Sequence, residues 1–121
     1  MKNSPYYIYM LRCEDDSVYT GIATDLIKRM TEHFEKTESC AKYTLRHSAK
    51  SLECVWKTKN RSLASKLEFR IKKLNKKEKE ELIAKNDSFE KLLGEFLDKK
   101  EYKRLTKKEI KMIQGDVPKW S

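Results

Sequence analysis

The chain has 121 residues, with 28 Lys/Arg against 19 Asp/Glu and a formal net charge of +9. That length supports one hydrophobic core and excludes two independent ones. No run approaches the ~20 apolar residues of a membrane-spanning helix, and residues 1–5 enter the first strand without an apolar export segment, so neither membrane nor secretion is expected.

Three cysteines, Cys13, Cys40 and Cys54, form neither an even framework nor a CxxC pair, which suits a reducing cytoplasm. Cys40 and Cys54 with His33 and His47 match no closed tetrahedral zinc spacing. The positive charge is uneven. Residues 61–86 hold nine Lys/Arg against four Asp/Glu, and this middle segment is the candidate polyanion-facing surface. A lysine-rich solvated helix is the plainer reading of the same composition.

Residues 6–13, YYIYMLRC, are aromatic and β-branched and predict a strand buried on at least one face. Glu14 to Ser17 is a polar turn, and Val18 to Ile22 returns as the antiparallel partner. Gly21 sits near the end of that strand, where a missing Cβ lets another backbone or a phosphate approach closely. Thr24-Asp25 opens a helix as cap and first-turn acid. Leu26, Ile27, Met30 and Phe34 mark its apolar side to about Glu35.

Lys36 to Lys50 is a polar loop with a short turn around Ala41 to Leu45. Leu52 to Lys59 is a third strand. Arg61 to Leu74 is a long helix with Leu63, Leu67, Ile71 and Leu74 on one stripe. A charged run from Asn75 continues into a third helix ending near Asn86. From Asp87 the spacing of Phe89, Leu92, Leu93, Phe96 and Leu97 predicts an amphipathic helix to about Lys100. Thr106 caps another, to Gln114, stopped by Gly115. The fold class is therefore α+β: a small three-stranded antiparallel sheet flanked by helices over residues 1–86, with a helical C-terminal extension over 87–121. Docking onto the domain, and binding a protein partner through residues 87–114, are both open to that extension.

Arg29 and His33 are four apart and share a helical face at the edge of the buried stripe. Arginine there can clamp a phosphate in two-pronged fashion; a surface Arg–Glu pair is the alternative. Glu68 borders the apolar stripe, between Ala64 at i−4 and Ile71 at i+3. A carboxylate so placed needs a cation or hydrogen bonds. Mg²⁺ fits, because it binds through one or two carboxylates and keeps several waters; an ion pair with Arg70 or Lys72 is the alternative. Tyr9 and Tyr19 both occupy odd positions on their strands and can present their rings to one sheet face.

The set Tyr7-Ile8-Tyr9, Tyr19-Thr20-Gly21, Arg29, His33 and Glu68 resembles the GIY-YIG nuclease superfamily, and is similar to its small stand-alone bacterial members from about Tyr6 to Ile83. Three positions depart from that pattern. Tyr7 stands for the glycine of GIY and Thr20 for the isoleucine of YIG, while Ile22 stands where several relatives place a lysine.

The resemblance implies a catalytic set of Tyr9, Tyr19, Arg29, His33 and Glu68. It implies hydrolysis of a DNA phosphodiester with one divalent ion, Mg²⁺ or Mn²⁺, on Glu68. Branched or damaged DNA in repair or recombination would be the setting. Either tyrosine or His33 is open as the group that activates water. Lys66, Arg70, Lys73, Lys76 and Lys77 are the candidate DNA-backbone contacts. The readings from other classes are a nucleic-acid-binding module without turnover and a protein-interaction domain using the tail.

Overall fold

The computed structural model describes residues 5–35 and 47–116; the turn expected around Ala41 to Leu45 lies outside them. Strand β1 (Tyr6–Cys13) pairs antiparallel with β2 (Val18–Ala23) on one side and with β3 (Ala49–Thr58) on the other. The β1–β2 turn closes through the Cys13 N–H to the Ser17 carbonyl at 2.9 Å. Asp16 takes φ 69° there, a left-handed conformation that aspartate tolerates better than most residues.

The third strand starts at Ala49, three residues before the hydrophobic pattern begins. Its first turn of polar sequence is held to Arg12 and Cys13 by pairing that skips residues. Leu11 pairs with Leu52 and Met10 with Cys54, so Glu53 is an extra residue in β3. The bulge reverses the alternation. Leu52 and Val55 consequently face one side of the sheet, Cys54 and Trp56 the other.

Among the described residues the sheet has four strands, not three. Lys103–Arg104 forms β4 on the free edge of β3, giving the order β2-β1-β3-β4. This short strand covers an edge that would otherwise expose unpaired backbone groups. Arg104 is also anchored from its side chain: its guanidinium donates to the Leu82 and Ile83 carbonyls at 2.9 and 2.7 Å. Those carbonyls lie in the last turn of a helix, where acceptors lack intrahelical partners.

One face is covered by α1 (Leu26–Glu35) and by α5 (Lys107–Gly115), with Met30, Leu105 and Ile110 packed on Tyr9, Leu11 and Val55. Asp25 is the cap of α1, its carboxylate accepting from the Lys28 N–H at 3.1 Å. Thr106 caps α5 in a reciprocal box with Glu109. The opposite face carries α2 (Arg61–Lys73), α3 (Lys76–Ala84) and α4 (Ser88–Leu93). Leu67, Ile71 and Leu82 meet Ile8, Met10 and Trp56 there, and the tail adds Phe89, Leu93 and Tyr102 to the same cluster.

The helix expected from Asp87 to about Lys100 stops at Leu93. Gly94 follows, then a single tight turn at Lys99–Glu101 capped by Asp98. Tyr102 is pulled into the core, its hydroxyl donating to the Leu63 carbonyl at 2.7 Å. Burial of that ring and pairing of β4 override a helical period that was real only through Leu93.

Arg12 ties the elements together at the turn end. It donates to both oxygens of Glu80 on α3 at 2.6 Å, and to Glu53 of the bulge at 3.0 Å. Arg12 is 13% exposed, so its removal strands two carboxylates at a partly desolvated position. Arg12→Ala is expected to lower unfolding free energy by about 2–3 kcal/mol. Urea denaturation measures it, and an unchanged midpoint would mean the network is ornamental.

Candidate active site

Antiparallel pairing sets Tyr9 directly across from Gly21 and Leu11 across from Tyr19. Tyr9, Leu11 and Tyr19 turn their side chains to the face covered by α1. The Tyr9 ring leans over Gly21: a Cβ there would lie 2.5 Å from the Tyr9 hydroxyl oxygen and 2.7 Å from its ring carbon. The close approach expected at Gly21 is thus made by a side chain of the neighbouring strand. Any other residue at 21 would push that ring away.

Displaced over the glycine, the Tyr9 hydroxyl meets His33 in the last turn of α1, 2.7 Å from Nε2. Neither side chain retains solvent exposure. The Tyr19 ring completes the group, its centroid 6.2 Å from that of Tyr9 and 5.5 Å from that of His33. Tyr19 keeps partial solvent exposure, so of the three rings it is the one a ligand reaches.

Arg29, one turn before His33, also hydrogen-bonds Tyr9. Arginine can only donate. With Arg29 as donor to the Tyr9 oxygen, the phenol proton is available to Nε2, and that arrangement would put the His33 proton on Nδ1. Burial, then the positive charge of Arg29, pulls His33 down to about 4, so the imidazole is neutral at physiological pH. Burial and then Tyr19 push the Tyr9 hydroxyl well above its ordinary range despite Arg29. Tyr9 is a protonated phenol and His33 a neutral imidazole.

Arg29 has a second partner, Glu32, at 3.2 Å. The Arg–Glu pair anticipated as an alternative therefore exists, alongside the Tyr9 contact rather than instead of it. Arg29, Glu32 and Lys28 line a shallow recess of about 210 Å³ between α1 and the end of β2. A wider recess of about 590 Å³ between α1 and α5 includes none of the candidate catalytic side chains.

Glu68 stands on α2, across β2 from α1. Lys72, four residues on, holds it at 3.4 Å and places its Nζ 5.8 Å from the Tyr19 ring centroid. The Glu68 charge also acts on Tyr9. Tyr9, Tyr19, Arg29, His33 and Glu68 are thereby gathered around β2 from two helices and two strands.

The five basic positions are not gathered with them. At about 100° per residue, Lys66, Arg70 and Lys73 project roughly 140–160° around α2 from Glu68. Arg70 lies over the Phe96 ring, 3.8 Å from its centroid. Lys76 pairs with Glu80 at 3.1 Å and reaches the Asp16 carbonyl, while Lys77 is exposed on α3. Among the described residues, the lysines that border the site are Lys28 and Lys72. Overall charge density could not separate them from the rest; their helical offsets from Arg29 and Glu68 could.

Among the described residues no group of three or more His, Cys, Asp or Glu side chains forms a metal cluster. Glu68 still fits a hard divalent ion. Its contact with the half-exposed Lys72 is the kind worth at most about 1 kcal/mol, so a dication can displace it.

Comparison with known proteins adds an independent line. The model of the GIY-YIG catalytic domain matches residues 5–81. The chain is 51% identical over 84 residues to the UPF0213 protein FN1575 of Fusobacterium nucleatum, covering 69% of this chain and 82% of the relative. It is 38% identical over 91 residues to the UPF0213 protein YhbQ of Salmonella arizonae, covering 75% and 89%. The solution NMR structure of the UPF0213 protein BH0048 from Bacillus halodurans aligns with a TM-score of 0.44 at 26% identity, over 74% of this chain and 97% of that one. No helix among the described residues is long and apolar enough to cross a membrane.

The buried neutral imidazole makes stability pH-dependent. His33 has a folded value depressed to about 4 against about 6.5 when unfolded, so its contribution is complete above ~6.5 and is lost as pH falls toward 4. The loss reaches about 3 kcal/mol. Thermal or urea midpoints of wild type should fall through this window, and those of His33→Gln should fall less. Parallel curves would place His33 in a wetter setting.

Proposed function

The chain belongs to the GIY-YIG family, and we propose that it is a metal-dependent DNA endonuclease hydrolysing phosphodiester bonds at the Tyr19–Arg29–Glu68 surface. The observation that carries this reading is the Arg29–Tyr9–His33 group beneath Tyr19, with Glu68 on the helix across β2.

In this mechanism Arg29 exchanges Glu32 for a phosphate oxygen, which offers more negative charge to the same guanidinium. Tyr19, the partly exposed ring, orients the attacking water. His33 and Tyr9 are positioning residues: they hold Arg29 and Tyr19 from below and give the site a dry, uncharged floor. Arg29 then faces the charge that develops on the phosphoryl oxygens, where a preorganised donor is most effective. Glu68 would hold one Mg²⁺ or Mn²⁺, which when bound supplies positive charge against the attacking and leaving oxygens. Lys28 and Lys72 steer the backbone toward it.

The test is cleavage of duplex, flap and junction DNA with and without Mg²⁺ or Mn²⁺. Wild type should cut only with metal. Glu68→Gln should remove that cleavage without lowering the thermal midpoint, and Arg29→Ala should lower kcat by roughly 10²-fold or more. A Glu68→Gln protein that cuts at the wild-type rate would refute the assignment. An Arg29→Ala effect confined to KM would recast Arg29 as a ground-state binding group.

A further inference from the structure

Phe69 and Phe96 are 53% and 51% exposed, unusual for large aromatic side chains in a chain that buries Tyr9, Trp56 and Phe89. They come from different elements: Phe69 from α2, and Phe96 from the tail segment between α4 and the Lys99 turn. Arg70 joins them, its guanidinium carbon 3.8 Å from the Phe96 centroid and 5.4 Å from the Phe69 centroid. Lys73 Nζ stands 5.2 Å from the Phe69 centroid, and Lys66 is exposed one turn earlier on the same side of α2.

The cations beside these two rings carry no internal counter-charge among the described residues. Arg12, Arg29, Lys59, Lys72, Lys76 and Lys91 each hold a carboxylate. Among the described residues, Lys66, Arg70 and Lys73 pair with none. Unneutralised cations interleaved with exposed aromatic faces are what recognises an unpaired polynucleotide strand: rings stack on bases and cations meet phosphates. A duplex keeps its base faces inside the stack and cannot use the rings. An apolar peptide would have no use for three bare cations.

We propose that Phe69, Phe96 and Arg70 form a stacking platform for an unpaired DNA strand, on the side of α2 away from Glu68. The choice of DNA rests on the nuclease reading. A helix with its side chains is about 10–12 Å across, so a strand leaving the Glu68 side reaches the platform within a few nucleotides. The substrate class is then DNA with a single-stranded arm next to the scissile bond. Phe96 lies beyond the segment that matches the family, so this surface depends on the tail.

The test is binding of a labelled oligothymidylate of about 15 nucleotides, the scale of one compact single-strand site, read by fluorescence anisotropy with chelator present. A blunt duplex is the second probe. Wild type should prefer the single strand. Phe69→Leu and Phe96→Leu should each weaken single-strand binding by at least about 5-fold, from the roughly 1–3 kcal/mol of a base–aromatic stack. Duplex affinity should stay within about 2-fold, and thermal midpoints should not move. A double variant that binds the single strand like wild type would overturn the platform, as would a wild type that prefers the duplex. Because no metal is present, the outcome is independent of cleavage. Wild type that stacks the strand yet cuts nothing when metal is supplied would leave the platform standing and overturn the nuclease reading.

Discussion

The hydrogen bond from Tyr9 to His33 exists only because residue 21 has no Cβ. Strand pairing puts Gly21 opposite Tyr9, and the vacant volume lets the phenol lean across β2 to reach α1. On that one bond depend the setting of the His33 ring, the contact with Arg29 one turn earlier, and the placement of Tyr19 as the ring left facing outward. A methyl group at position 21 would undo all three at once. The glycine matters for the space it leaves, since its backbone has no positive φ.

Around that centre the molecule spends its charges in pairs. Glu32 occupies Arg29 and Lys72 occupies Glu68, so without a ligand both groups of opposite sign are satisfied internally. Such contacts on partly exposed side chains are weak enough for a phosphate and a cation to replace them. What marks the cations beside Phe69 and Phe96 is the pair of exposed rings among which they stand.

Much of this was legible in the chain. The β1–β2 hairpin, the two helices that carry Arg29 and Glu68, and the Thr106 cap follow from alternation, helical spacing and capping residues, all local signals. What escaped was long-range. The Glu53 bulge, the Arg12–Glu80 pair and the β4 edge strand each join residues more than 40 positions apart, and no window of sequence encodes them. The tail shows the competition directly. Its apolar period continues past Leu93, but Tyr102 gains more from burial against Phe89, and a hydrogen bond to Leu63, than from staying in a helix. The candidate site residues were chosen from their order along the chain, through the resemblance it carries. Which cations border them was not legible, because composition reports how many lysines a helix carries and not which way they point.

The central claim is that His33 is a neutral acceptor, protonated on Nδ1 and bound at Nε2 by the Tyr9 hydroxyl. Nitrogen NMR of the His33 ring through a pH titration reads this directly. The account predicts a neutral ring with a bare Nε2 at neutral pH, staying so until about pH 4. A ring that titrates near the ordinary value of about 6.5, or that carries its proton on Nε2, would contradict it.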